Sequence, residues 1–523
     1  MKKVLLVILD GWGLSPLTEG NATYLAKTPN LDWIYGNYPK TSLSASGIDV
    51  GITAGESGNS EVGHLNIGSG RVVWESLPRI DQAIEKDDFA KNQSLLNMIN
   101  HVRSGSSSLH LVGLCSYGSV HSSINHMFSL LKFAADQNVD HVYIHMITDG
   151  RDTAPRVAQS DVKLISEKIK EFGVGKIATI IGRFYAMDRD KHYERTEKAY
   201  KLWVAGQGDK YNSADEALEA YYRAGSDDEK IGACLIDANG LIKPGDGVMF
   251  FNFRADRMRQ IIDAFENPSF AEFQRQTISN LALLSMTRYS NTQKTKELFP
   301  PLDMDNVLAD VIENVGLKQS HIAETEKYAH VTYFFNGGEE KPHPNEKQIL
   351  IPSPRVENYS QTPAMSSDLI KDRIIEEIQA GSDFIVSNFA NGDMVGHTGD
   401  LAATVAAVEA VDSCLKDIMT KASVAGYTVL ISADHGNCEL MINPSNKEIN
   451  KEHTGSPVPL VVADLQAKPF TLQGGNAFTK DSLVEYSSNP TTGILADIAP
   501  TVLFLMGVEK PAEMSGIDIS TLI

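Results

Sequence analysis

Three aspartates and three histidines stand where short apolar runs end or begin. The run VLLVILD ends in Asp10, FIVSNFA is followed by Asp393 and His397, YTVLISA by Asp434 and His435, and His453 sits in KEHTGSPVPLVV before another apolar run. Mixed carboxylate and imidazole ligands suit Mn²⁺, Zn²⁺ or Co²⁺, whereas an all-oxygen set would suit Mg²⁺ or Ca²⁺. Taken singly, an aspartate after a strand is an Asx-turn or N-cap residue, and a lone histidine is a core or surface residue. Recurrence at several strand ends is what points to a metal centre.

A serine nucleophile has two candidates in ITAGESGNSEVGHLNIGSGR, Ser57 and Ser60, among permissive glycines. Either could cap a helix. At a helix N-terminus and on a metal ion, the hydroxyl would instead be activated for attack on a phosphoryl group. A third constellation is basic: Arg151 with Asp152 after VYIHMITDG, Arg183 and Arg189 in GRFYAMDRDKHYER, and Arg254 and Arg257 in FFNFRADRMR. Guanidinium groups converging on one cleft would grip a small molecule bearing carboxylate and phosphate; dispersed, they would be a solvated charged face. His121 in GSVHSSINHM is equally open to either reading.

These residues need a scaffold that brings strand ends together. Short runs that are apolar throughout, such as KIATIIG and GVMFF, alternate with helical stretches such as Leu401 to Ala422, which reads as an α/β protein with a mostly parallel sheet buried on both faces. In such sheets ligands bind beyond the carboxyl ends of the strands. Punctuation at WESLPRID and at TKELFPPLDMDN suggests one domain inserted into another. The expected division is a domain of residues 1–76 and 300–523 carrying the metal ligands, with residues 77–299 inserted as the arginine-bearing domain.

Composition limits the alternatives. The 523 residues are 42% hydrophobic and 22% charged, ordinary globular usage with no low-complexity tract. Lys+Arg of 47 against Asp+Glu of 67 gives a net charge of −20, which repels nucleic acid. Four scattered cysteines without CxxC spacing imply neither a disulfide framework nor a thiolate zinc site. The apolar run after Lys2 and Lys3 ends at Asp10, too short for a signal peptide or a membrane span, so a soluble cytoplasmic protein with no membrane partner is expected.

Several segments in order, namely LDGWG, GNSEVGHLNIGSGR, HMITDGRDTAP, GRFYAMDRDKHYER, FFNFRADR, AETEKYAHVTYFFNGG, NGDMVGHTGD, ADHGN and EHTGSPVP, resemble the cofactor-independent (2,3-bisphosphoglycerate-independent) phosphoglycerate mutases of the alkaline phosphatase superfamily. The resemblance runs essentially end to end. It implies an alkaline-phosphatase-like α/β metal domain, discontinuous in sequence, with an inserted α/β substrate domain. It implies two divalent ions, Mn²⁺ favoured, one on Asp393, His397 and His453 and the other on Asp10, Ser60, Asp434 and His435. Ser60 would be transiently phosphorylated, with Ser57 left to a turn. The implied substrate set is His121, Arg151, Asp152, Arg183, Arg189, Arg254, Arg257 and Lys327, with Asp152 moving protons and Lys327 neutralising phosphate charge.

The implied activity is interconversion of 3-phosphoglycerate and 2-phosphoglycerate in glycolysis and gluconeogenesis, without bisphosphoglycerate, by a monomer whose domains close about linkers near Pro78 and Pro300. A metal-dependent phosphomonoesterase of the same superfamily and a non-catalytic metabolite binder are the competing readings. Three features depart from the family pattern: Tyr117 replaces an acidic residue, Ser123 replaces a second histidine, and residues 466–488 form a longer excursion.

Overall fold

The computed structural model describes residues 2–471 and 475–522. The chain forms two compact units, Met1–Glu75 with Asp303–Ile523, and Ser76–Leu302. Each is built on one eight-stranded, mostly parallel sheet.

The first unit begins with β1 (Lys3–Leu9) and β2 (Lys40–Ser44). The chain then builds the second unit's sheet from β3 (Leu109–Leu114), β4 (Val142–Thr148), β5 (Lys176–Gly182), β6 (Asp209–Lys210), β7 (Cys234–Leu235), β8 (Gly247–Phe250), β9 (Ala282–Thr287) and β10 (Lys296–Phe299). It returns to the first unit for β11 (Gln319–Glu324), β12 (Glu346–Ile351), β13 (Phe384–Phe389), β14 (Tyr427–Ser432), β15 (Val458–Asp464) and β16 (Gly493–Ile494). Strand order is β12-β11-β13-β1-β14-β15-β2-β16 in the first sheet and β10-β9-β8-β3-β4-β5-β7-β6 in the second. In the first sheet β15 runs antiparallel to both β14 and β2, and in the second β7 runs antiparallel to β5 and parallel to β6.

Burial explains why the central runs are apolar at every position. Val4 to Ile8 of β1 are wholly inaccessible, flanked in parallel by β13 and β14, which are buried at each residue. Each such aliphatic side chain contributes about 1.5–3 kcal/mol relative to exposure. Register then aligns the strand ends: Leu9 sits opposite Phe389, and Ile8 opposite Ser432. Asp10, Asp393 and Asp434 therefore leave the sheet at one edge.

The long helix expected from Leu401 extends to Ala425, capped by the Asp400 carboxylate, which accepts from the Ala403 N–H at 3.0 Å, and closed by Gly426 at φ 72°. The Pro78 zone differs from a linker. Helix Ser76–Glu85 starts there, and Pro78 occupies its first turn, where a missing N–H costs nothing. The segment around Tyr328 forms a π-turn, His330–Phe334. Within the excursion at 466–488, residues 472–474 lie outside the described residues, and Lys480–Ser488 is a helix. Among the described residues no helix is long and apolar enough to cross a membrane, and all four cysteines are free and buried.

Candidate active site

In the first unit the strand ends deliver a compact polar cluster. Asp10 follows β1, Asp434 and His435 follow β14, and beyond β13 Asp393 lies in the first turn of helix Asn391–Gly396 with His397 as its C-cap. Gly11 permits this convergence. Its φ of +69° is left-handed, and a Cβ there would stand 2.7 Å from the Asp393 Cα. Gly63 serves the facing helix: a Cβ would meet the Asp434 carbonyl oxygen at 2.6 Å.

Ser60 is the first residue of helix Ser60–Ser69, whose N-cap is Asn59. Its hydroxyl is 2.7 Å from Lys327 Nζ, 3.0 Å from His435 Nε2 and 3.4 Å from Asp10 Oδ1. Lys327 Nζ also donates to Asp10 Oδ1 at 2.7 Å and to Asp393 Oδ2 at 2.6 Å. Burial alone would push the Lys327 ammonium down, but Asp10, Asp393 and Asp434 more than offset it, so the group stays charged. Burial raises the Asp10 carboxyl, reinforced by Asp434. Burial acts the same way on Asp393, yet Lys327, His397 and His453 hold that carboxyl well below the usual range.

The donor set fits divalent ions. Asp10, Asp393, Asp434 and His435 are buried, and three carboxylates face a single ammonium. Isolated buried charge is costly unless paired. The Asp434 Oδ2 is buried with no hydrogen bond, the imidazoles of His64 and His435 lying 3.2 and 3.5 Å away. Each histidine directs Nδ1 at a backbone carbonyl: His397 at Lys451, 2.6 Å, His453 at Gly58, 3.0 Å, and His435 at Gly436, 3.3 Å. A carbonyl can only accept, so each Nδ1 carries a proton and Nε2 is the atom turned into the cluster, the arrangement that orients metal-ligating histidines. The Nε2 atoms of His397 and His453 then face each other at 3.0 Å, and both lie beside Asp393 Oδ1, at 3.1 and 3.2 Å. Two imidazole nitrogens and a carboxylate oxygen this close are donors of the kind that bind a divalent cation.

Among the described residues of this unit, two triads have donor atoms close enough to share an ion: Asp393, His435 and His453, and Asp10, Asp434 and His435. His435 belongs to both. His397 stands at the rim, its side chain 39% exposed, with Nε2 against Asp393. All seven expected ligands, Ser60 included, thus fall in one cluster, and Lys327 is within it. Sequence spacing did not single out the groups that orient them. Asn388 donates to Asp10 Oδ2 at 2.7 Å and Asn437 to Asp393 Oδ1 at 3.2 Å. His64 points Nδ1 both at the Ser60 carbonyl, 2.9 Å, and at Asp434. Asn388 and His64 lie inside motifs already noted, and their polarity within apolar surroundings was the available signal.

In the second unit the basic residues also gather beyond strand ends, those of β3, β4, β5 and β8. Arg183 is buried and donates through Nη1 to Asp149 at 2.6 Å and Asp152 at 2.5 Å. Asp256 accepts from Arg189 at 2.9 Å and lies 3.4 Å from Arg254 Nε. His121 is bracketed by Asp152, 3.9 Å, and Asp256, 3.6 Å. Burial and the Arg183 charge bring its pKa down to about 4, so the ring is neutral at pH 7. Arg257 donates to the Met187 carbonyl at 3.1 Å, and burial together with Arg183, Arg189 and Arg151 works against its charge. Arg151 is more peripheral, 56% exposed and 3.6 Å from Glu229. Asp149 and Asp256 were not foreseen. Of the departures from the family pattern, Tyr117 is exposed, and Ser123 is a buried residue preceding helix Ile124–Asp136.

A family model described as "BPG-independent PGAM N-terminus" matches residues 80–291. Among curated relatives, the 2,3-bisphosphoglycerate-independent phosphoglycerate mutase of Rippkaea orientalis is 45% identical over 98% of this chain and 94% of its own. That of Clostridium novyi is 46% identical over 98% of both chains. A crystal structure of Leishmania mexicana phosphoglycerate mutase at low cobalt concentration is 28% identical, covers 99% of this chain and 97% of its own, and superposes with a TM-score of 0.53. Full-length relatedness and the two clusters agree, and the chain belongs to the family of 2,3-bisphosphoglycerate-independent phosphoglycerate mutases.

Proposed function

We propose that this protein is an isomerase interconverting 3-phosphoglycerate and 2-phosphoglycerate in glycolysis and gluconeogenesis, without bisphosphoglycerate, with Ser60 as a transient phosphoryl acceptor. The observation that carries the reading is the seat of Ser60 Oγ, at a helix N-terminus and within 3.0 Å of both a charged ammonium and a ligand-type imidazole nitrogen. Asp393, His397 and His453 would hold one divalent ion and Asp10, Ser60, Asp434 and His435 another, Mn²⁺ suiting the mixed oxygen and nitrogen donors. Bound ions would lower the pKa of the serine hydroxyl and neutralise phosphoryl charge.

The chain's own residues do the rest. Ser60 Oγ, deprotonated before the attack and returned in that state, forms a bond to phosphorus as the bond to the glycerate O3 breaks, and O3 takes a proton. Lys327, kept cationic by its carboxylates, stabilises charge on the phosphoryl oxygens. In the return step the glycerate O2 loses its proton and attacks the phosphoserine, releasing Ser60. Asp152 is the group we assign to those protons, with Arg183 fixing its carboxylate. Arg151, Arg189, Arg254, Arg257 and His121 hold the glycerate through its carboxylate and hydroxyls while it reorients.

A phosphomonoesterase would need the metal cluster but would have no need to retain its alcohol, so the arginine-bearing unit favours the mutase. We read the enzyme as a monomer, since this chain supplies every group of the metal cluster, and glycolytic substrates favour the cytoplasm. Incubation of the Mn²⁺-loaded protein with 3-phosphoglycerate, following 2-phosphoglycerate and free phosphate, tests the proposal. Isomer without phosphate is expected; phosphate with little isomer would make this a phosphatase.

A further inference from the structure

Asp188 carries none of the roles described so far, yet few carboxylates in the second unit are so fully engaged. It is 5% exposed, beside Arg189 in sequence. Its Oδ1 accepts from the backbone N–H of Asp190 at 3.0 Å, that of His192 at 2.9 Å and Gln260 Nε2 at 2.9 Å. Its Oδ2 accepts from His192 Nδ1 at 3.0 Å and Arg195 Nη1 at 3.1 Å. Gln260 Nε2 also donates to the Asp188 carbonyl. Arg195 is held from its other side, with its guanidinium carbon 3.9 Å from the centre of the Phe184 ring.

These bonds join three separate pieces of chain. The turn 188–192 carries Arg189. Helix Tyr193–Ala205 supplies Arg195. Helix Arg259–Glu266 supplies Gln260, directly after the segment bearing Arg254 and Arg257. Arg257 closes the loop by donating to the carbonyl of Met187, the residue before Asp188. The guanidinium groups of Arg189 and Arg257 repel one another, so their anchors must be rigid. Asp188, Asp190 and His192 are also near enough to share a cation, but five donors, one of them Arg195, already occupy both Asp188 oxygens, so the residue serves those donors and not an ion.

We infer that Asp188 is a positioning residue for substrate capture: its buried carboxylate locks the turn bearing Arg189 to the segment bearing Arg257, so that both guanidinium groups are set at the spacing the phosphoglycerate anion requires. The inference rests on the mutase reading above. Substrate contact is left to the arginines themselves. Loss of the anchor would be felt in binding, since misplacement of about an ångström can cost on the order of 100-fold.

Steady-state kinetics of Asp188→Asn on the full-length, Mn²⁺-loaded protein test this. KM for 3-phosphoglycerate should rise about 10- to 100-fold while kcat falls less than about threefold, because the first unit's chemistry is untouched. A merely structural role would reduce the folded fraction, lowering apparent kcat and leaving KM alone. An unchanged KM, or a loss confined to kcat, overturns the assignment. If Asp188→Asn fails to fold, Gln260→Leu decides, with a rise in KM of about three- to tenfold expected and an unchanged KM contradicting it. Wild-type isomerisation in the same assay tests the mutase reading separately.

Discussion

The two polar clusters of this protein are electrostatic opposites. In the first unit, carboxylates and imidazoles gather around one ammonium, Lys327, which faces Asp10, Asp393 and Asp434. In the second, cations predominate, Arg183 buried and the others more open, with Asp152 and Asp256 pairing with them. On the proposed function the first would receive cations and the second an anion, and a phosphoryl transfer that keeps hold of its alcohol would draw on both.

Breaking the first cluster should have the larger consequences. Ser60→Ala should abolish turnover, by about 10⁴-fold or more, while leaving Mn²⁺ affinity within an order of magnitude; single-turnover kinetics beside a metal titration read both. Substantial residual transfer would remove Ser60 as the acceptor. Lys327→Met leaves buried carboxylates without their cation. The metal-free variant should lose about 3–5 kcal/mol in denaturant unfolding, with part recovered at saturating Mn²⁺. Equal loss with and without metal would argue against a cation site there.

The second cluster should answer differently. Arg183→Lys keeps the charge but replaces the planar guanidinium whose Nη1 donates to both Asp149 and Asp152. It should lower kcat/KM about 100-fold with little change in metal affinity. A weakened metal site would blur the division between the clusters.

The smallest effect expected is on stability against pH. His110 and His145 are buried in the second sheet, Nδ1 to Nε2 at 2.9 Å, with Asp246 and Thr179 at the two ends. Burial lowers the pKa of both, well below the ordinary value for His145, where the neighbouring His110 adds to it. The unfolded chain therefore binds protons below about pH 6.5 that the folded pair refuses. Their contribution is complete above that pH and is lost as pH falls toward the folded values, with a limiting slope of about 1.4 kcal/mol per pH unit for each proton withheld. Denaturant unfolding between pH 8 and 5.5 should show a shallower slope in His145→Gln than in the wild type. Identical slopes would mean the pair takes up its protons in the folded state.

What the sequence made legible, and what it hid, follows from how local each signal is. The strands carrying Asp10, Asp393 and Asp434 are apolar throughout because both faces are buried, so they could be read directly. Strand β11, QSHIAE, is just as buried yet polar, its His321 satisfied by the Val331 carbonyl and Gln319, and its type could not be read from hydrophobicity. The helix at Pro78 was hidden because proline breaks a helix except in its first turn. Ligand-type residues at strand ends were visible as a set. Their supports, Asn388, Asn437 and His64, and the second unit's Asp149, Asp188 and Asp256, act across long sequence separations that spacing does not encode. The sharing of His435 between two triads is likewise a fact of three dimensions.

The central claim is that Ser60 carries the phosphoryl group between the two hydroxyls of glycerate. Acid quenching of the Mn²⁺-loaded enzyme during turnover with 3-phosphoglycerate, followed by proteolysis and mass spectrometry, tests it most directly. The account predicts phosphate on the peptide containing Ser60, localised to that residue and absent from Ser60→Ala. Isomerisation with no phosphorylated peptide, or with the phosphate on another side chain, would contradict it.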